Sequence, residues 1–170
     1  GLEQRAIDAV ETNVRAAAKH VRAYQRAVIQ CATDAERKVL RTAADAFIAG
    51  VPRWPNKVTR QALQQALVRT DSAEFATEDD AARELALRRL CVHAEILSAA
   101  ATPPEDAGLR REGELELLRQ GLGQARRMDD RDWEAMRLEW LCMGAVAPEV
   151  HDELERRFVQ CLARRRAGSN

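Results

Sequence analysis

Apolar positions in the first part of the chain recur at alternating intervals of three and four residues. They are Ile7, Val10, Val14, Ala17, Val21, Tyr24, Val28 and Cys31. This spacing predicts a first helix from about Leu2 to Ala32 with one apolar stripe. A three-four repeat is also the pattern of a coiled-coil seam, so dimerisation of this helix stays open. Alanines beside the seam (Ala6, Ala18 and Ala27) widen the stripe, and we therefore favour a helix packed inside a bundle.

Capping and proline signals divide the rest of the first half into two further helices. The segment "TDAE" (33–36) has the pattern of a capping box, which predicts a second helix from there to Gly50. In "GVPRWPN" (50–56) two prolines restrict the backbone and predict a rigid corner. Asn56 is positioned to cap a third, shorter helix, which ends before the polar stretch "TDSAEFATEDD" (70–80).

The second half of the chain predicts four more helices. Thr77 with Asp80 opens the first of them, which is expected to end near Ala101, and the other three are expected at 102–128, 128–144 and 148–165. In "TPPED" (102–106) we expect the threonine to cap a helix that carries prolines in its first turn and acids where the helix dipole favours them. No segment alternates as a strand does, so we predict an all-α fold of about seven helices, a bundle built from αα-hairpins. The polar stretch divides it into units at 1–71 and 78–170, unless the chain is one continuous domain.

A tryptophan-bearing corner is the most distinctive feature of the second half. Trp133 and Trp140 are seven residues apart and share one helical face. Gly144 suits the left-handed residue after a helix, and Pro148 suits the first residue of the next one. The expected apolar partners on the returning helix are Leu154, Phe158 and Cys161. We interpret the corner as structural, with exposed ligand stacking as the alternative.

A similar corner occurs earlier in the chain. "DAFIAGVPRWPNKV" (45–58) and "EWLCMGAVAPEV" (139–150) both place large apolar residues, a glycine and proline before a new helix. The match is weak beyond the corner, and it suggests a degenerate duplicated helical unit.

The segments 87–123 and 139–158 resemble the C-terminal region of an uncharacterised bacterial family. Its members carry tandem copies of a short helical domain of unknown function. The family hallmark is a tryptophan, a glycine-containing corner that ends in proline, and an acidic helix with a late Arg-Phe. The matching residues are Trp140, Gly144, Pro148, Glu153, Leu154, Arg157 and Phe158. Members are often labelled SbcC-type exonuclease subunits or coiled-coil proteins, a label that would imply an ATPase head.

The residues themselves contain no pattern for such a head or for another catalytic site. No GxxxxGK[ST] phosphate loop occurs, and "GLGQAR" (121–126) lacks the lysine. Cys91 and His93 point in different directions on a helix, which does not suit zinc. Cys142 and His151 flank the corner without a recognisable orienting group. We therefore predict no catalytic residue, no metal and no cofactor.

Charge balance and cysteine content indicate which partners and which cellular environment to expect. The 27 basic and 27 acidic residues balance, which argues against a surface that tracks phosphates. The four cysteines are widely spaced in apolar positions, as expected of buried free thiols in a reducing cytoplasm. No signal peptide or long apolar run is present, so no membrane partner is expected. The chain begins with Gly-Leu, which favours a fragment of a longer protein or a processed chain.

Two basic segments are the candidate partner-binding residues. One is the tail Arg164, Arg165 and Arg166, and the other is the corner with Arg53, Trp54 and Lys57. Arginine and tryptophan are favoured interface anchors. In the alternative interpretation, the arginines lie on solvated helix faces, with pairs such as Glu84–Arg88 and Glu153–Arg157. Trp54 would then cover its own hairpin.

We expect a non-enzymatic helical scaffold that binds an unknown protein partner, as the C-terminal part of a longer cytoplasmic bacterial protein. The alternative is a nucleic-acid-binding accessory domain that serves a nuclease or ribosome-linked machinery. The arginine doublets favour that alternative, and the balanced charge weighs against it.

Overall fold

The computed structural model describes residues 1–120, 130–143 and 145–168. Within these ranges there are seven α-helices, two short 3₁₀ turns and no strand, so the predicted all-α fold is confirmed. The helices are α1 (Leu2–Ile29), α2 (Asp34–Gly50), α3 (Lys57–Thr70), α4 (Asp80–Leu97), α5 (Ala107–Arg119), α6 (Asp130–Cys142) and α7 (Pro148–Gly168). The 3₁₀ turns are Phe75–Thr77 and Pro104–Asp106. None of the described helices combines the length and apolar character that crossing a bilayer requires.

The caps of α2 and α3 were predicted correctly. Thr33 accepts a hydrogen bond from the Glu36 amide at 3.2 Å, and the Glu36 carboxylate accepts one from the Thr33 amide at 3.2 Å. Both halves of the capping box are therefore present, and α2 begins where expected. The Asn56 side chain accepts a hydrogen bond from the Thr59 amide at 2.8 Å and caps α3.

Two helix ends differ from the prediction because the chain turns earlier than its apolar pattern indicates. Cys31 lies after the end of α1, with a left-handed φ of 55°, and it is exposed instead of buried in the seam. Ala99 likewise has a φ of 55°, and the Ala100 amide donates back to the Glu95 carbonyl at 2.9 Å. This backward hydrogen bond closes α4 at Leu97, ahead of the expected Ala101.

The helix expected from Thr102 to Met128 also begins later. Pro104–Asp106 forms a 3₁₀ turn, and α5 starts at Ala107. Thr102 does not cap it, because its hydroxyl donates to Glu95 at 3.2 Å. The described part of α5 ends at Arg119, and residues 121–129, which include the predicted continuation, lie outside the described residues.

The described contacts divide the chain into two compact units. The first unit contains Gly1–Asp79 and Leu138–Ala145, and the second contains Asp80–Arg137 and Val146–Asn170. The expected division had placed Leu138–Ala145 in the C-terminal unit. In the structure this segment belongs to the first unit, where Leu141 is buried in the core.

The first unit is built around α1, which packs against α2, α3 and the first 3₁₀ turn. Its core consists of Val14, Ala17, Ala18, Val21, Tyr24, Val28, Ala44, Ile48, Leu63, Ala66, Leu67 and Leu141. The seam of α1 is therefore buried by its own unit from Val14 to Val28, as a bundle helix requires. Ile7, nearer the N-terminus, is 46% exposed.

A hydrogen-bonded group at the rim of this core joins α1, α2 and the end of α3. The Tyr24 hydroxyl donates to Asp71 at 2.5 Å, and Arg41 donates to both carboxylate oxygens of Asp71 at 3.2 and 3.1 Å. Burial, and then the hydrogen bond to Asp71, raises the pKa of Tyr24 to about 12. Burial alone would raise the pKa of Asp71, but the hydrogen bonds from Arg41 and Tyr24 outweigh it and hold the pKa below its ordinary value.

The second unit is built around α4, which packs against α5 and α7. The largest fully buried side chains there are Leu87, Val92, Leu154 and Phe158, with the thiols of Cys91 and Cys161 among them. Where α5 crosses α4, a β-carbon added to Gly113 would lie 2.8 Å from the Ile96 δ-methyl group. One of the glycines in the predicted fifth helix thus allows a close helix approach.

The chain contains a single tyrosine, so the ionisation of Tyr24 can be followed without interference. Because folding raises its pKa, Tyr24 stabilises the fold fully below about pH 10, and this contribution is lost as the pH rises towards 12. We expect tyrosinate absorbance in the native protein to rise with a midpoint near pH 12, while far-ultraviolet circular dichroism reports whether the fold persists.

The variant Asp71→Asn should lower this midpoint without returning it to the ordinary value near 10, since burial is the larger cause. Asp45→Asn is the matched control, because Asp45 binds Arg41 at 2.6 Å and is not a hydrogen-bond partner of Tyr24. An ordinary midpoint in folded wild-type protein would contradict the Tyr24–Asp71 contact.

Candidate interaction sites

The two tryptophans of the predicted corner lie in the interior. Trp133 is 5% exposed and Trp140 is 2% exposed, so neither offers a ring face for ligand stacking. The Arg165 guanidinium lies 5.4 Å from the Trp133 ring centroid, a cation–π distance. Pro148 is the first residue of α7, as predicted, and Gly144 lies outside the described residues.

The expected partners on the returning helix are buried as well. Leu154, Phe158 and Cys161 are at most 1% exposed, and α7 packs against α4 within the second unit. The pairing of Trp140 with these residues stays a prediction, as does the duplicated unit.

Contacts between α4 and α7 show that the two helices run in the same direction. The Cys91 thiol donates to the Leu154 carbonyl at 3.7 Å. One turn further along each helix, Glu95 accepts from Arg157 at 2.8 Å. Near the end of α4, the Ala99 carbonyl accepts from Arg164 at 3.0 Å. These three successive polar contacts define which residues of α7 lie beside which residues of α4.

Four charged residues form what we call the arginine–carboxylate cluster: Arg88, Glu95, Asp106 and Arg157. Arg157 binds Asp106 at 2.7 Å in addition to Glu95, and Arg88 binds Asp106 at 3.2 Å. Glu95 and Asp106 are each only 3% exposed. Both buried carboxylates therefore have cationic partners, which ionised groups need in such a position.

Two arginines outside the cluster, Arg110 and Arg164, hold the loop between α4 and α5. Arg110 donates to the Ala100 carbonyl at 2.6 Å and to the Thr102 hydroxyl at 2.9 Å. Arg164 donates to the carbonyls of Ser98 and Ala99, so it satisfies acceptors that the end of α4 leaves open.

These charges suit a structural role better than proton transfer. Burial alone would lower the pKa of Arg157, but hydrogen bonds to Glu95 and Asp106 raise it above its already high ordinary value. Burial also raises the pKa of Cys91 to about 12 and raises the pKa values of Cys142 and Cys161. Neutral thiols are poor nucleophiles, so these three cysteines are unsuited to covalent catalysis.

Sequence reasoning missed the cluster because it paired charges locally. The pair Glu84–Arg88 is present, with a separation of 3.6 Å. Arg157 was expected to pair with Glu153 on a solvated face. Its side chain is instead 11% exposed and binds Glu95 and Asp106, 62 and 51 residues away.

The predicted partner-binding residues are found in two different settings. Arg164 binds the end of α4, and Arg165 binds Asp130 as well as the Trp133 ring. Arg166 is exposed and follows them on α7. Most of the expected basic tail is therefore engaged within the second unit.

The first unit carries the other predicted segment. Trp54 is partly buried and packs against the core, as a side chain covering its own hairpin does. Arg53 and Lys57, on either side of it in sequence, are exposed.

The first unit also has an open groove that sequence reasoning did not identify. It has a volume of about 790 Å³ and is lined by Gln61, Ala62, Gln64, Gln65, Val68, Arg69 and Cys142. Six of these residues lie on α3, and Cys142 comes from the end of α6. We call this surface the α3 groove. A pattern analysis treats α3 alone and therefore cannot detect a surface that Cys142 completes.

No protein-family model, curated protein or solved structure matches this chain. The resemblance to the bacterial tandem-repeat family stays a prediction based on the quoted segments.

The structure predicts that Arg157 is among the residues most important for stability. Replacing it with methionine leaves Glu95 and Asp106 buried without their shared cation, and we expect a loss of about 3–5 kcal/mol of unfolding free energy. The control Arg156→Met changes an exposed neighbour on the same helix and should alter stability by no more than about 0.5 kcal/mol. Urea unfolding followed by circular dichroism measures both, and equal stability of the two variants would contradict a structural role for the cluster.

Proposed function

We propose that this chain is a non-enzymatic helical interaction domain that binds a protein partner through the α3 groove. The observation that carries the proposal is the chemical character of the groove. Its lining has three glutamines, two small apolar residues, a cysteine and a single charged residue, Arg69. Charged residues make up 32% of the whole chain, so the groove contrasts with the average surface.

The scarcity of charged residues in this lining matches the central part of a protein–protein interface. Lysine, glutamate and aspartate are depleted there, whereas arginine is enriched. Val68 is 63% exposed in the groove, and Val58, nearly three turns earlier on α3 and outside the groove lining, is 56% exposed. A partner that covers them would remove apolar surface from water, while the glutamine amides offer hydrogen bonds in either direction.

The use of charge elsewhere in the protein supports the same proposal. The buried carboxylates of Glu95 and Asp106 bind Arg157, and the three cysteines with raised pKa values are held as thiols. In this proposal the domain belongs to a longer bacterial protein of the family that it resembles and works in the reducing cytoplasm. The four free cysteines suit that environment.

The proposal predicts that a charge in the groove abolishes partner binding. Immobilised wild-type protein should retain a specific partner from bacterial extract, quantified by mass spectrometry, and Val68→Glu should lose it. Val39→Glu is the matched control, because Val39 is 67% exposed on α2 and does not line the groove. Equal retention by both variants, or loss in both, would argue against the groove as the binding surface.

Nucleic-acid binding is a second candidate, favoured by the exposed Arg53 and Lys57 beside Trp54. The balanced charge and the internal contacts of Arg164 and Arg165 weigh against it. We expect fluorescence anisotropy of labelled DNA and RNA oligomers to stay flat at low and moderate salt. Salt-dependent binding that is lost in a combined Arg53→Ala and Lys57→Ala variant, but kept in Arg60→Ala, would favour the nucleic-acid function instead.

A further inference from the structure

The first turns of α7 bring three potential metal ligands together. His151, Asp152 and Glu155 each offer one donor atom, and these atoms lie within 4.8 Å of one another. His151 and Glu155 are four residues apart, so they occupy the same face of the helix on successive turns. The imidazole is 2% exposed, Asp152 is exposed and Glu155 is half-buried.

One imidazole and two carboxylates are a suitable donor set for a divalent transition-metal ion. Zinc binds histidine nitrogen and carboxylate oxygen at about 2.0–2.2 Å, usually with tetrahedral geometry. Tetrahedral bonds of that length place neighbouring donors about 3.4 Å apart. The carboxylates would have to move inwards by about 1 Å, which is within reach of side-chain rotation at a partly exposed position.

We propose that His151, Asp152 and Glu155 form a binding site for a divalent transition-metal ion such as Zn²⁺. The buried imidazole provides the fixed ligand, and the two more accessible carboxylates close around the ion from the solvent side. A fourth position stays open to water. The site was not expected from the sequence, where only cysteine–histidine pairs were considered as zinc ligands.

Local electrostatics support a cation at this position. Glu149 and Glu153 lie in the same two turns of α7, so four carboxylates surround the imidazole in sequence. They offset the positive end of the helix dipole, which by itself disfavours a cation at a helix N-terminus. Arg156 is the nearest cation along the chain, and it is exposed.

The bound ion would stabilise α7 directly. Leu154 lies between the ligands in sequence and is fully buried in the core of the second unit. Linking His151 to Glu155 through a metal would hold the turn that carries Leu154 in its helical conformation. The inference is independent of the α3 groove, which belongs to the first unit.

A metal-free alternative exists for the same three side chains. His151 can contact Asp152 and Glu155 directly, without an ion between them. Such direct contacts do not depend on a metal, whereas the proposed site does. The two arrangements therefore differ in their response to added metal.

The test is a titration of untagged, EDTA-treated protein with Zn²⁺ by calorimetry, and with Co²⁺ by visible absorption. We expect one equivalent to bind, and at a concentration about tenfold above the dissociation constant the melting temperature should rise by roughly 3–6 °C. Asp152→Asn and Glu155→Gln should each weaken binding by about tenfold or more, comparable to the loss of other metal-site contacts. Binding should also weaken as the pH is lowered.

Glu153→Gln is the matched control, because it removes the same charge from an exposed position on the same turn. It should bind the metal about as tightly as the wild type. No binding at millimolar Zn²⁺ would overturn the proposal, and so would equal weakening in Glu153→Gln and both ligand variants. Circular dichroism of each variant shows whether it is folded, and Asp152→Asn, at an exposed position, keeps the test decisive if Glu155→Gln unfolds.

Discussion

Inside the second unit the Arg157 guanidinium binds two buried carboxylates, Glu95 and Asp106. Each carboxylate is 3% exposed, and Arg157 binds them at 2.8 and 2.7 Å. The three members come from α4, from the turn before α5 and from α7, so one guanidinium determines the register of all three elements. The α5 helix buries none of its own residues fully, so the contacts of Asp106, in the turn before it, add to its packing against α4. Removing one member of a buried ionic group destabilises a protein far more than replacing the whole group with apolar residues does.

The helices of the first unit are held together by a different kind of contact. Fully buried alanines on three helices, Ala17 on α1, Ala44 on α2 and Ala66 on α3, allow the helices to approach closely. At the rim of its core, Asp71 accepts hydrogen bonds from both Tyr24 and Arg41. Close packing of small side chains therefore holds the helices of the first unit together, while ion pairs hold together much of the second unit.

This distribution of polar groups bears on function. Arginines that look like a basic surface in the sequence, such as Arg157 and Arg164, are used to hold helices and loop carbonyls together. In our proposal, the α3 groove, whose lining is poor in charge, binds the protein partner. The His151 cluster is a separate feature of α7, and it combines a buried imidazole with carboxylates that remain accessible to an ion.

The amino-acid sequence by itself determined the helical class, the caps at Thr33 and Asn56 and the buried side of α1, because each of these depends on residues a few positions apart. It also indicated that Trp133, Trp140, Leu154 and Phe158 are interior residues. Only the tertiary structure decided which of 27 basic residues pairs with which of 27 acidic ones, since charge attraction carries no information about sequence distance. The partners of Arg157, the early end of α4 and the α3 groove all depend on contacts between distant segments, and a local pattern does not contain them.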